Sequence, residues 1–330
     1  MKILILGYVD YITNMLKFLQ GTPFLLDNHI DYIIAIHPKP SKIKTIKKYF
    51  KKFNINRLIY WIDLKLYSKK HKAILDFLFP PVDLSFLKTM SNIQQLEYHG
   101  LRYIKNLDQY DFFIICTFGE KVPDDIIKKP KCCTFNIHPS YLPKLRGGYP
   151  TYVDAYKNSK FSGTTIHKMV SEYDAGDIII QKKYFVEAET TNFNRYVLSA
   201  KIAAELLNEL HLNNFAYQSK PQMKNNITTC KGILKYKREI ELMSVDDDVL
   251  GYLRANYAKH LMPFTHTRFR LSMFSIISAK KCASIENFPS KYIQKESNYI
   301  FVYKNNFYLK YFDNIHFIKI FIYKGQLISK

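Results

Sequence analysis

Short apolar runs alternate with helical stretches along the first half of this chain, and that alternation constrains its fold more than any other feature. Residues 2–7 (KILILG) read as a buried strand closed by Gly7, followed by a helical pattern over 11–20. Residues 30–36 (IDYIIAI) read as a second strand, Lys42–Phe53 as a basic helix, and Leu58–Trp61 as a short third strand. Asp111–Thr117 (DFFIICT) is a fourth, followed by a turn over 118–123 and a short helix over Asp124–Lys129; Cys133–Ile137 is a fifth. Strands alternating with helices imply a parallel sheet wrapped by helices, so the expected class is α/β, Rossmann-like. Gly7-Tyr8-Val9-Asp10 is not GxGxxG, and no bound dinucleotide is expected.

The rest divides by pattern. Residues 62–99 suggest a helix near 69–78, stopped by Phe79-Pro80-Pro81, and another over Ser91–Gly100; no role is assigned to them. A helix over Tyr152–Asn158 precedes two strands, Gly163–Val170 and Asp177–Phe185, joined by the loop SEYDAG, and then a long amphipathic helix, Phe193–Leu210. The polar stretch 213–226 reads as a linker, and a helical segment near 246–257 leads into Tyr-, Phe- and Ile-rich short strands from 270 to 328. The expected organisation is a catalytic domain over 1–212, a linker over 213–226 and a smaller β-rich C-terminal domain over 227–330.

Bulk properties remove several classes. The five cysteines show neither a CxxC pair nor Cys/His ligand spacing, so no disulfide framework and no metal site is expected, and a reducing compartment fits. The first apolar run ends at Asp10, too early for a signal-peptide core, and no run approaches the roughly 18 apolar residues of a membrane span. A soluble, cytoplasmic protein without a membrane partner is expected. The formal net charge of +21 allows a polyanionic partner such as tRNA, or a Lys-rich composition spread along the chain. Attraction to anionic substrates follows either way.

The chemistry concentrates just past the fifth strand, in Asn136-Ile-His138-Pro-Ser-Tyr-Leu-Pro-Lys-Leu-Arg146-Gly-Gly. Ligands of open α/β sheets bind at the carboxyl ends of strands. Positions two apart on a strand face one way, about 7 Å apart along the backbone, so Asn136 and His138 share a side. An amide and an imidazole there can polarise a carbonyl and handle a proton. Alone, Asn-x-His is more often a polar strand end than an active site, and Asp174 in Tyr173-Asp-Ala-Gly-Asp is more often an Asx-turn residue.

Three blocks in order change that balance. Asn136-x-His-Pro-Ser-x-Leu-Pro-Lys-x-Arg-Gly, then Gly163-Thr-Thr-Ile-His-Lys-Met, then Asp174-Ala-Gly-Asp-Ile-Ile-Ile-Gln181 resemble the 10-formyltetrahydrofolate-dependent formyltransferases. The likeness is strong over 111–212, weaker over 1–60, and suggestive past 213, where Pro221-Gln222 and Thr228–Ile240 resemble the second domain of larger members. It implies a formyltransferase domain with Asn136, His138 and Asp174 as catalytic trio and 10-formyltetrahydrofolate as formyl donor. It further implies a pterin held mainly by the backbone of two loops, with Phe118, Gly119, Lys121, Val122, Val170 and Tyr173 as its contacts. Ser140, Arg146 and Gly147 are the expected acceptor contacts; Arg146 is placed either to meet a phosphate or carboxylate, or as a solvated surface arginine. His167 is expected to be structural.

By the same resemblance the expected acceptor is a primary amine. In methionyl-tRNA formyltransferases a Gly/Arg/Lys-rich loop follows the second strand, whereas here His37-Pro-Lys-Pro-Ser41 runs straight into a helix. Thr165–Val170 followed by Asp174-Ala-Gly resembles the domain that formylates a nucleotide-linked 4-amino sugar. A nucleotide-linked amino sugar is therefore the expected acceptor, with methionyl-tRNA as the alternative; a homodimer is left open. Two readings outside this class are a hydrolase giving the formyl group to water, and a catalytically silent nucleic-acid-binding protein on the same fold.

Overall fold

The computed structural model describes residues 1–35, 79–230 and 249–256, the strands between 266 and 328, and positions 76, 288 and 304. The helix expected over Lys42–Phe53, the strand over Leu58–Trp61, the helix over 69–78 and the junction at His37–Ser41 lie outside the described residues. The chain forms two compact units. The first holds all described residues from Met1 to Cys230 except 76, 79–81 and 155–157. The stretch 213–226, expected as a linker, therefore lies within it.

The first unit is built on a seven-stranded sheet: β1 (Lys2–Tyr8), β2 (His29–Ala35), β3 (Ile93–Leu96), β4 (Phe112–Cys116), β5 (Cys133–His138), β6 (Phe161–Lys168) and β7 (Ile178–Phe185), in the order β3-β2-β1-β4-β5-β6-β7. The first five strands pair in parallel, the last two antiparallel. A short loop joins β6 to β7, and a short connection can only return antiparallel. The α/β, Rossmann-like expectation holds, with this antiparallel edge added.

Both sheet faces are buried, which is why the strands read as unbroken apolar runs. Ile3 and Ile5 point to one face with Ile114, Phe135 and Ile137; Leu4 and Leu6 point to the other with Phe113 and Ile115. Helices α1 (Val9–Phe18) and α2 (Pro23–Asp27) and a long helix, Asn192–Leu212, cover the first face. Thr191 caps the long helix by accepting from the Asn194 amide at 3.4 Å. Each fully buried Ile, Leu or Phe here contributes about 1.5–3 kcal/mol, so this layer fixes the sheet that carries the site.

One expectation is corrected. Ser91–Gly100 is not a helix: Ile93–Leu96 is the edge strand β3, in register with Ile30–Ile33 of β2. Ile93 and Leu96 stand at helical spacing, but the open edge of β2 decides. The Asn92 side-chain amide donates to the carbonyls of Leu25, Leu26 and Asn28, and the Asn92 main-chain carbonyl accepts from the Ile30 amide at 2.8 Å. Those bonds commit the segment to the sheet.

The described part of the second unit holds a helix, Val249–Asn256, and an antiparallel sheet of β8 (His266–Phe269), β9 (Ser272–Lys281), β10 (Tyr299–Tyr303), β11 (Asn306–Tyr311), β12 (Asn314–Ile322) and β13 (Leu327–Ile328). Its order is β10-β11-β12-β9-β8, with β13 beside β12. It is the smaller β-rich region expected. Among the described residues no helix is long and apolar enough to cross a membrane, and no group of His, Cys, Asp and Glu is arranged to hold a metal.

Candidate active site

β5 presents Phe135 and Ile137 to the core and Asn136 and His138 to the opposite side, as strand periodicity requires. In register, Asn136 stands between Ile115 of β4 and His167 of β6. The third member arrives on a loop. Asp174 lies between β6 and β7 with φ +53°, a left-handed conformation that Asp tolerates better than most residues. Gly176 makes that loop possible, because a Cβ there would lie 1.9 Å from the Lys168 carbonyl oxygen.

The carboxylate gathers the site. Asp174 Oδ1 accepts from Asn136 Nδ2 at 3.1 Å and lies 3.5 Å from His138 Nδ1 and 3.7 Å from His167 Nε2. Asp174 Oδ2 accepts from the Gly147 amide at 2.7 Å, with Gly147 at φ +96°. An ionised carboxylate only accepts, so Asn136 must turn its nitrogen to it. The other hydrogen of that nitrogen then goes to His167 Nε2 at 3.0 Å, which leaves the His167 proton on Nδ1, donated to the Lys168 carbonyl at 2.8 Å. His138 is fixed similarly: Nε2 meets the Leu145 carbonyl at 2.9 Å and must carry the proton. Its Nδ1 is left facing Asp174.

Burial pushes the His138 imidazole below the ordinary histidine value, against the opposing pull of Asp174 and the Leu145 carbonyl. Burial pushes the Asp174 carboxyl up, but His138, His167 and the Gly147 amide outweigh it and hold the group well below the usual carboxylate range. The resting pair at neutral pH is therefore a neutral imidazole beside an ionised carboxylate.

Asn136, His167 and Asp174 line a cleft with Ile115, Phe118, Lys121, Val122, Met169, Val170 and Tyr173. Five of the six expected cofactor contacts, Phe118, Lys121, Val122, Val170 and Tyr173, thus share one cleft with two members of the trio. Gly119 is not on its wall; its amide donates to the Tyr8 hydroxyl at 3.3 Å. His138, 5% exposed, sits behind Asp174.

The expected acceptor contacts turn inward. Ser140 is buried, with Oγ donating to the Lys144 carbonyl at 2.7 Å and its own carbonyl accepting from Thr165 Oγ1. Arg146 is 9% exposed; Nε and Nη2 both donate to Gln222 Oε1, and Nη1 lies 3.6 Å from Glu172. It is thus not a solvated surface arginine. Gly147 serves Asp174 through its amide.

Two residues at the site stand apart from the sequence reading. His167, expected to be structural, touches Asn136 directly, and its place opposite Asn136 follows once β5 and β6 pair. Gln222, noted only within Pro221-Gln222, reaches the Asp174 loop from 48 positions along the chain. No local pattern signals that contact.

Fold and site define a Rossmann-like α/β protein with an amide, two imidazoles and a carboxylate gathered at the rim of its sheet. Residues 79–207 match the model of the formyl transferase family. Among curated relatives, a methionyl-tRNA formyltransferase of Mycoplasma capricolum is 28% identical over 174 residues, covering 52% of this chain and 54% of that one. A methionyl-tRNA formyltransferase of Prochlorococcus marinus is 31% identical over 204 residues, covering 59% and 60%. The chain thus spans about half the length of the curated relatives it matches. Among solved structures, WlaRD, a sugar 3N-formyl transferase studied with dTDP and 5-N-formyl-THF, has a similar fold at TM-score 0.55 and 17% identity, covering 96% of each chain. An N-formyltransferase from Helicobacter canadensis, in complex with folinic acid and dTDP-3-aminofucose, gives TM-score 0.57 and 15% identity, covering 96% of this chain and 98% of that one.

Proposed function

We propose that this chain transfers a formyl group from 10-formyltetrahydrofolate to a primary amine, with Asn136, His138 and Asp174 as its catalytic groups. The observation that carries the reading is the convergence of all three: Asp174 Oδ1 stands 3.1 Å from Asn136 Nδ2 and 3.5 Å from His138 Nδ1. The cleft beside them suits the donor. Ile115, Phe118, Val122, Met169 and Val170 form an apolar wall for a flat ring, and the loops around 118–122 and 170–173 offer main-chain groups to its polar edge. Bound there, the folate supplies an activated formyl carbon.

The chain's own residues then divide the work. One Asn136 hydrogen stays on Asp174, while the other, directed at His167 Nε2 at rest, is shared with the formyl oxygen as negative charge develops on it. A well-placed donor of this kind is worth about 3 kcal/mol in the transition state. Nitrogen–carbon bond formation releases one proton from the amine, and cleavage of the carbon–N10 bond requires one at N10. His138 Nδ1 and Asp174 hold that proton in between, since a protonated Nδ1 forms an ion pair with the carboxylate. No side-chain nucleophile is needed.

For the acceptor we favour a nucleotide-linked amino sugar. The reading draws on the block Thr165–Val170 with Asp174-Ala-Gly, and on the near full-length likeness in fold to a protein described as a sugar 3N-formyl transferase with dTDP present and to one in complex with dTDP-3-aminofucose. Methionyl-tRNA is the second reading, favoured by the names of the sequence relatives and by the net charge of +21. The test is a formylation assay with 10-formyltetrahydrofolate against nucleotide-linked amino sugars and charged methionyl-tRNA. Formylation of the sugars but not the tRNA is expected. Formylation of the tRNA alone selects the second reading, and formate release with no amine present identifies a hydrolase and rejects transfer.

A further inference from the structure

Beyond the trio, we infer that Gln222 is a positioning residue of the catalytic site, and that Lys220–Cys230 is a strap that holds the Asp174 loop and the His138 loop in register. The inference rests on the proposed formyl transfer for its kinetic consequences, though not for its geometry.

Every hydrogen-bonding valence of the Gln222 amide is spent on those loops. Its Nε2 donates to the carbonyls of Asp174 and Gly176, both at 2.8 Å. Its Oε1 accepts from Arg146 Nε at 3.0 Å and Nη2 at 2.7 Å. The first pair grips the left-handed turn that aims the Asp174 carboxylate. The second grips the segment that delivers the Leu145 carbonyl to His138 and the Gly147 amide to Asp174. Two charged donors converging on one amide oxygen hold it more firmly than a single neutral donor would.

The backbone of the strap reinforces both grips. Lys220 exchanges two hydrogen bonds of 2.8 Å with Ile178, just past the Asp174 loop. Thr228 accepts from the Leu145 amide through Oγ1 at 2.9 Å and from the Arg146 amide through its carbonyl at 2.9 Å, and the Cys230 amide donates to the Arg146 carbonyl at 2.9 Å. Between these anchors most strap side chains are exposed, so little apolar burial holds the segment in place. Polar groups aimed at two loops of one site, on a segment with little core of its own, indicate positioning of that site.

The experiment compares wild type with Gln222→Met and Gln222→Glu, the second retaining shape and an acceptor for Arg146 while removing both donors. First, amide exchange at Gly147, which donates to Asp174, is followed by NMR on the full chain. We expect it to speed at least tenfold in both variants; unchanged exchange in the folded variants overturns the inference whatever reaction the chain performs. Second, in formyl transfer, kcat should fall about 10- to 100-fold with donor KM within about twofold, the pattern of displaced catalytic groups beside an intact cleft. Lowered thermal stability with wild-type kcat makes Gln222 merely structural and rejects the role. Should wild type itself transfer no formyl group, the proposed function falls, and the exchange measurement alone judges the strap.

Discussion

Two halves of one site are built in opposite ways. Asn136 and His138 ride on β5, a strand paired on both sides and backed by Phe135 and Ile137 in the core. Asp174 rides on a loop in a left-handed conformation, held by Gly147, Gln222 and the room that Gly176 leaves. The strand-borne pair inherits its aim from the sheet, so its orientation is as stable as the fold. The carboxylate has its aim assembled from contacts with separate segments, and its precision is only as good as their mutual hydrogen bonds. Sites commonly combine a rigid frame with loop-borne chemistry; here the division runs through the trio itself.

The largest expected effect lies on the loop side. Asp174→Asn keeps the volume but removes the charge that balances a protonated His138, so turnover should drop by about 10²- to 10⁴-fold with the fold retained. Steady-state kinetics alongside circular dichroism decide it, and wild-type turnover would remove Asp174 from the mechanism. On the strand side, Asn136→Ala should lower kcat by about 10²-fold, the worth of one lost donor of about 3 kcal/mol. Its melting temperature should stay closer to wild type than that of any loop variant. A larger stability loss for Asn136→Ala than for Gly176→Ala would reverse the comparison.

Gly176→Ala tests the loop's construction. Its Cβ would meet the Lys168 carbonyl, which is main chain and cannot swing away. The loop must shift, and a destabilisation of about 1–3 kcal/mol is expected from strain of this kind, read by urea unfolding, with catalysis reduced as Asp174 moves.

Smallest is the pH dependence. His138 is held below the ordinary histidine value, so the unfolded chain takes up its proton first as the pH falls. Its contribution to stability is therefore fully present above about pH 6.5 and is lost as the pH falls through the folded value. Asp174 is depressed too, so its contribution is present above the ordinary carboxylate range and is lost only in stronger acid. Unfolding free energy should rise with pH below about 6.5, in two stretches. His138→Gln should flatten the upper stretch and Asp174→Asn the lower. A wild-type stability independent of pH down to the carboxylate range would contradict the buried, neutral His138.

Legibility followed the same division. The strands at 2–8, 29–35, 112–116 and 133–138, the hairpin of 161–168 and 178–185, and the long helix at 192–212 were readable because apolar runs and 3.6-residue periods are local signals. Ser91–Gly100 was misread because four residues at a sheet edge carry too little pattern to outweigh helical spacing. The Arg146 guanidinium read as open to ligands or solvent, since nothing near it in sequence announces Gln222.

By itself, then, the sequence determined the layer architecture and the shared direction of Asn136 and His138, because side-chain alternation and helical period are properties of neighbouring residues. Only the tertiary structure decided how Asp174 is aimed, which ring nitrogens carry protons, and that residues 220–230 close over the loops of the site. Those outcomes depend on hydrogen bonds between groups tens of residues apart, whose partners are chosen when the sheet, two loops and the strap come together.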